Sequence, residues 1–304
     1  MMNRRQFISR SAAALALCSI AGQQAFAEMA PKPNKGRIGL QMYSLRNELP
    51  KDLEGSLKKV SAMGYASAEL FKMNDGMFFG KTMKETKAMF TDLGMSITSA
   101  HTGSKILSED TNAPEWDFWK KMAGYLNELD AKWAVQAANP GAKSIDDLKR
   151  IAEHYNRVGE VCQKSGIKFG YHNHNEELGK IENEVILEFL IKNTDPKLVF
   201  FQLDMGHAVR GGADCVRLLR TYPKRFPMWH ASDYDLSKHS TEKELAKKAY
   251  TWLGKGNVPY PALFDLANST GLEVLTIEQE TEIDTFAAIQ SDFNYLKQFK
   301  WTKA

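Results

Sequence analysis

Cysteine is scarce in this chain, with three in 304 residues. Cys162 lies in a helical pattern and Cys215 begins one, and no cysteines are paired at thiolate-site spacing, so nothing in their placement demands a disulfide or a thiolate cluster. Long hydrophobic runs are lacking too. The longest, residues 12–21, is too short to cross a bilayer as a helix. No Gly-x-Gly-x-x-Gly follows the first strand pattern, so the dinucleotide fingerprint is absent. An excess charge of either sign is also missing. Of 40 Lys and Arg, three fall in residues 1–27, which carry no acid, and the remainder holds 37 basic against 37 acidic side chains. That balance opposes a nucleic-acid partner, which needs a basic face. What is present is an ordinary globular composition, 43% hydrophobic and 25% charged, enough for one large domain or two small ones.

The first 27 residues read as an export leader. Asn3-Arg-Arg-Gln-Phe-Ile8 is a twin-arginine pattern, the apolar run follows, and Ala25-Phe26-Ala27 is a small-x-small cleavage site. Leu17 before Cys18 is large where a lipid-attachment site takes a small residue. The expectation is a periplasmic protein carried by the twin-arginine export machinery, with residues 28–36 as linker and 37–304 as one domain. A homo-oligomer is compatible with the sequence.

From residue 37 one pattern recurs: a short apolar strand, a polar loop, an amphipathic helix, then often a glycine before the next strand. Strands are expected at 38–43, 66–71, 95–100, 132–138, 167–171, 198–203, 226–231 and 273–277. Helices are expected at 53–63, 82–93, 113–129, 144–164, 183–191, 213–221, 259–269 and 284–299. The insert 233–256 is too long for a tight connection. Eight strand–helix pairs predict an α/β fold, a closed (β/α)8 TIM barrel, ahead of an open doubly wound sheet, which normally has fewer strands.

Leu198-Val-Phe-Phe-Gln-Leu-Asp-Met-Gly-His207 reads as a strand buried on both faces, interrupted once by Gln202 and ending in Asp204. In a barrel of this kind the chemistry sits at the C-terminal strand ends. Strand one offers Gln41 and Tyr43; strand two, Glu69; strand three, His101. Strand five offers His172 and His174, then Glu176 and Glu177. Asp204 and His207 follow strand six, His230 and Asp233 strand seven, and Glu278 and Glu280 strand eight. Five of the seven histidines stand at these ends; only His154 and His239 do not. One histidine alone is more often a packed structural residue. The joint clustering points to a divalent-metal site, and mixed His and carboxylate donors suit manganese, magnesium, cobalt or zinc without choosing among them.

Gly170-Tyr-His-Asn-His174, Leu203-Asp-Met-Gly-His207, Trp229-His-Ala-Ser-Asp233 and Ile277-Glu-Gln-Glu280 resemble the xylose isomerase-like TIM barrels. This sugar isomerase/epimerase superfamily also includes the endonuclease IV type of nuclease, and the Tyr-His-Asn-His form is similar to its exported members. In the family one metal is held at the ends of strands five to eight, typically by Glu, Asp, His and Glu. The resemblance implies Asp204, His230 and Glu278 as three ligands. At the first position His172 stands where the epimerases usually have Glu, and it takes that role, with His174 or Glu177 as alternatives. His207 matches a histidine that contacts substrate in relatives. Ser232 stands where many relatives have Lys. Lys255, in a loop resembling the family's Gly-x-Gly, is a candidate to meet an anionic group, against the ordinary reading of a solvated turn.

The function so implied is a metal-dependent sugar isomerase/epimerase that moves a proton next to a metal-bound carbonyl. Glu278 is the candidate base as well as a ligand, with His101, Glu177 and His207 as partners. Tyr43, Glu69, His174, Asp233 and Lys255 are the candidate substrate contacts. Because His172 breaks the family's two-Glu arrangement, a 3-keto-glycoside lyase or hydrolase on the same site competes, as does a non-catalytic sugar-binding barrel. The expected partner is a small sugar or keto-sugar. A nuclease is opposed by the zero net charge of residues 28–304 and by the expected export.

Overall fold

The computed structural model describes residues 38–103, 114–137, 141–281 and 284–301. The expected leader, 1–27, and linker, 28–36, lie outside the described residues. The barrel strands are β1 (Ile38–Gln41), β2 (Ser67–Leu70), β3 (Ser96–Thr102), β4 (Trp133–Gln136), β5 (Lys168–His172), β6 (Val199–Asp204), β7 (Met228–Ala231) and β8 (Val274–Ile277). Each pairs in parallel with its chain neighbours, and β1 pairs with β8, which closes the sheet into an eight-stranded barrel. The helices are α1 (Leu53–Met63), α2 (Met83–Asp92), α3 (Pro114–Glu128), α4 (Ile145–Lys164), α5 (Ile186–Asn193), α6 (Met205–Arg210), α7 (Cys215–Thr221), α8 (Lys243–Lys247), α9 (Tyr260–Leu266) and α10 (Thr285–Leu296).

Local chemistry explains most boundaries. Ser144 caps α4 by accepting the N–H of Asp147, and Thr82 with Glu85 forms a reciprocal capping box at α2. Gly64 ends α1 at φ 102°, a backbone region that disfavours any side chain. In α4, Leu148, Ile151, Tyr155, Val158 and Cys162 recur at helical spacing and are buried, so this face packs on the barrel. Both described cysteines are buried free thiols, and burial raises each to a pKa of about 12. No helix among the described residues is long and apolar enough to cross a membrane.

The core has two parts. The larger lies between barrel and helices. The smaller, Trp133, Val135, Phe200, Met228 and Val274, fills the barrel interior, with Trp133 and Phe200 edge to face at 4.7 Å. Strand alternation then sets polar residues directly above it: Phe200 gives way to Gln202, and Met228 to His230.

The C-terminal mouth carries the elaborations. Three two-stranded hairpins, built on residues 77–82, 180–185 and 233–251, each follow a barrel strand there. The insert 233–256 is folded: Asp233–Tyr234 pairs antiparallel with Tyr250–Thr251, with α8 between. α6 has no counterpart in the sequence reading. It begins directly after Asp204, whose side chain caps it by accepting the His207 N–H, and six residues are too few to show helical periodicity.

Candidate active site

His172 ends β5, Asp204 ends β6, His230 lies in β7 in register with Asp204, and Glu278 directly follows β8. The four are buried and offer one donor atom each, all within 4.8 Å of one another. His230 Nδ1 lies 2.8 Å from Glu278 Oε2 and 3.9 Å from Asp204 Oδ2. Asp204 Oδ1 is occupied, accepting the His207 N–H and the Ser232 hydroxyl, both at 2.7 Å. Asp204 Oδ2 is buried with no hydrogen-bond partner. An orphaned carboxylate oxygen is costly unless a cation meets it. Two imidazole nitrogens and two carboxylate oxygens at this spacing fit one divalent ion.

The charges reinforce one another. Burial would lower the His230 pKa, but Glu69 and Glu278 on its two sides raise it to about 10. Burial would raise Glu278, but His230 beside it holds the carboxyl down at about 2. His172 is kept well below the usual range by burial and by the neighbouring rings, so it is neutral.

A polar layer, buried apart from the edge of His101 that reaches the cavity, lies around Glu69. Its Oε1 accepts from Gln41 Nε2 at 2.8 Å, His230 Nε2 at 2.5 Å and His101 Nε2 at 3.1 Å; its Oε2 accepts from Gln202 Nε2 at 3.0 Å. Gln202 Oε1 lies 2.8 Å from His101 Nε2 and 3.1 Å from His172 Nδ1.

Above the ligand set opens a cavity of about 810 Å³. His174 and His207 stand on one wall with ring centroids 4.8 Å apart. His207 Nδ1 shares a 2.5 Å hydrogen bond with the Tyr250 hydroxyl, and its Nε2 lies 3.6 Å from Glu280. Burial works against the charged form of His207, but Asp204 and Glu280 raise it to about 9. Burial, then the charge of His207, lowers His174 to about 4. Across the mouth, Tyr43 and Phe71 meet edge to face at 5.4 Å and present an aromatic surface.

The structure therefore gathers His172, Asp204, His230 and Glu278, and places His101, His174, His207 and Tyr43 at the cavity. Four expected site residues stand elsewhere. Glu69, expected to contact substrate, is buried beneath the cavity and enclosed by donors. Asp233 accepts the N–H groups of Tyr234, Gly254, Gly256 and Val258 at 2.9–3.0 Å, so its carboxylate holds the insert closed rather than facing substrate. Lys255 is exposed on the loop so fixed and does not line the cavity. Glu177, expected as a catalytic partner, is buried away from the cavity, where its Oε2 accepts the His174 N–H at 2.7 Å and braces the 173–177 loop.

Three contributors were not assigned from sequence. Gln202 had a signal, being the one polar residue ahead of Asp204 in its buried strand and of the same parity as Asp204. Ser232 links Asp204 to α6, accepting the Gly206 N–H at 2.8 Å; a Cβ on Gly206 would come within 2.5 Å of its hydroxyl, so only glycine fits there. Tyr250 arrives from the insert, and nothing in its local sequence marks it.

A parallel barrel with ligand-type side chains at its C-terminal mouth is the architecture of a TIM-barrel enzyme. A model described as xylose isomerase-like TIM barrel matches residues 57–304, and the chain belongs to that family. It is 24% identical over 259 residues to an inosose dehydratase of Geobacillus kaustophilus, across 76% of this chain and 81% of that one. Among solved structures it is similar to a sugar phosphate isomerase/epimerase from Parabacteroides distasonis, at 31% identity and a TM-score of 0.74, covering 86% of this chain and 94% of the other. It shares its fold with the IOLI protein solved with a zinc atom, at 13% identity and a TM-score of 0.69, covering 86% and 97% of the two chains.

Proposed function

We propose that the protein is a divalent-metal-dependent enzyme that removes a proton beside the carbonyl of a keto-sugar and completes the reaction by β-elimination. The carrying observation is the one-sided distribution of carboxylates. Glu176, Glu278 and Glu280 all come from the β5–β8 half of the mouth, whereas β1–β3 present Tyr43, Phe71, Lys72 and His101, and the His101 Nε2 is engaged by Gln202 and Glu69. Two-sided epimerisation needs an acid or base on each face of the sugar; elimination does not.

His172, Asp204, His230 and Glu278 would hold the ion, which when bound polarises the sugar carbonyl and acidifies the neighbouring C–H. Glu278 faces the cavity beside the other three donors, and its carboxylate is assigned the role of accepting the proton. His207, oriented by Tyr250, is placed to protonate the departing oxygen. Tyr43 and Phe71 offer a stacking face to the ring. The inosose dehydratase relative supports loss of a leaving group; the isomerase/epimerase relative supports a second reading, in which the proton is returned to the neighbouring carbon. Both begin with the same proton removal. With two imidazole donors, zinc or cobalt is favoured over manganese or magnesium.

The test incubates a 3-keto-glucoside with the protein in deuterated solvent, with and without chelator. Metal-dependent C–H exchange with release of the aglycone is expected. Exchange with a retained glycosidic bond would favour isomerisation, and no exchange with any divalent metal would refute the enzyme reading. Tyr250→Phe should slow aglycone release while C–H exchange persists. Export belongs to the same proposal: replacing Arg4 and Arg5 by lysine should hold the protein in the cytoplasm.

A further inference from the structure

We propose that Glu69, relayed through the Gln202 amide, is a positioning residue that fixes the ring tautomers of His172 and His230 so that each presents a lone pair to the metal; this rests on the reading of the site as a metal centre. Hydrogen-bond direction decides which nitrogens carry hydrogen. An ionised carboxylate only accepts. Every nitrogen against Glu69 must therefore carry a hydrogen: Gln41 Nε2, Gln202 Nε2, His101 Nε2 and His230 Nε2. Gln41 has an independent check, since its Oε1 accepts the Tyr43 N–H at 3.1 Å, leaving its Nε2 to donate.

For His230 the result is direct. With Nε2–H given to Glu69, Nδ1 is the nitrogen that can exchange its proton, held toward Glu278 in the metal-free protein, for a metal, and it is Nδ1 that lies beside Glu278 and Asp204. For His172 the instruction passes through one amide. Gln202 Nε2 faces Glu69 Oε2 at 3.0 Å; turned over, it would set two oxygens against each other. Its Oε1 must then face His172 Nδ1 at 3.1 Å, so Nδ1 carries the hydrogen and Nε2 is free to coordinate. Glu69 lies outside the ligand set, 161 residues from His230 in sequence, yet it selects the coordinating atom of two ligands. A carboxylate behind a metal-binding histidine commonly fixes ring orientation; here one carboxylate serves two rings, the second through Gln202.

The relay makes a prediction that a merely structural Glu69 does not. In Glu69→Gln the new amide has to turn one NH2 toward the layer, and Gln202 flips to accept it. His172 then meets the Gln202 NH2 and moves its hydrogen to Nε2. The experiment is long-range proton–nitrogen NMR on histidine-labelled full-length mature protein without metal, with rings assigned by single His→Gln variants, alongside zinc titration and thermal unfolding. Wild type should show His172 as the Nδ1–H form. Glu69→Gln should show the Nε2–H form and bind zinc about 10- to 100-fold more weakly. Gln202→Met, which keeps the volume and removes the relay, should likewise release His172 from the Nδ1–H form, and it decides the matter if Glu69→Gln does not fold. Gln41→Met removes a donor but not the relay and should leave His172 unchanged. The proposal is overturned by His172 as Nε2–H in the wild type, by unchanged tautomer and zinc affinity in Glu69→Gln, or by a tautomer change in Gln41→Met. If wild type binds no zinc, the metal reading fails by itself, and the tautomer spectra still decide the relay.

Discussion

Glu278→Gln gives the sharpest separation of ligand from base. The substitution keeps the shape and one oxygen donor but removes one of the two anionic ligands of a four-donor set. The lost charge also faces His230 across 2.8 Å, an attraction of about 6 kcal/mol at an effective dielectric of about 20. Regained solvation and release from Asp204 offset that term, so the response to metal is the cleaner readout than the metal-free melting point. At a metal concentration 1,000-fold above Kd, binding stabilises the fold by about 4.1 kcal/mol; a hundredfold loss of affinity lowers this by about 2.7 kcal/mol. For a domain of this size that is a metal-induced melting shift smaller by about 5–11 °C. With saturating metal restored, C–H exchange in deuterated solvent should still fall by about two to four orders of magnitude, the range for loss of a general base. Calorimetric scans and NMR-monitored exchange measure the two effects separately. Exchange at the wild-type rate in the saturated variant would refute Glu278 as the base and send the search to His174 and His207.

His172→Ala should weaken zinc binding more than His174→Ala does, because His172 belongs to the four-donor set and His174 lines the wall above it; isothermal titration gives the order, and the reverse order would move the first ligand to His174. Asp233→Ala strands backbone donors of the insert and should destabilise the fold by about 3 kcal/mol or more in denaturant titration, whereas Lys255→Ala should leave stability and turnover unchanged. Burial raises the Asp292 carboxyl to about 7, ahead of the Leu253 N–H and Gln279 amide that donate to it. The folded chain holds that proton more tightly than the unfolded chain, so the associated stability is complete below the ordinary carboxylate range and is lost as pH rises through about 7. Asp292→Asn should flatten that part of the stability profile.

The repeating unit was legible in the chain because each of its parts has a local cause. Ser144 caps, Gly64 terminates, and the 148–162 stripe of α4 packs, all through neighbours close in sequence. The four ligands were legible by residue type at strand ends. Depth below the mouth was not, because strand position tells which face a side chain takes but not what closes over it; hence Glu69 looked like a substrate contact and proved to be enclosed by Gln41, Gln202 and two histidines. The insert was opaque for a different reason. Its fold depends on Asp233 collecting N–H groups up to 25 residues away, which turns Lys255 outward and brings Tyr250 onto His207. Such contacts join segments with no common period, so pattern reading has no purchase on them.

The central claim is one divalent ion held by His172, Asp204, His230 and Glu278. The most direct measurement is anomalous diffraction at the zinc edge on crystals of the protein grown with zinc and without chelator. The account predicts one strong peak at about 2.0–2.2 Å from His172 Nε2, His230 Nδ1, Asp204 Oδ2 and a Glu278 oxygen. A peak coordinated by other residues, or none at these four, would contradict it.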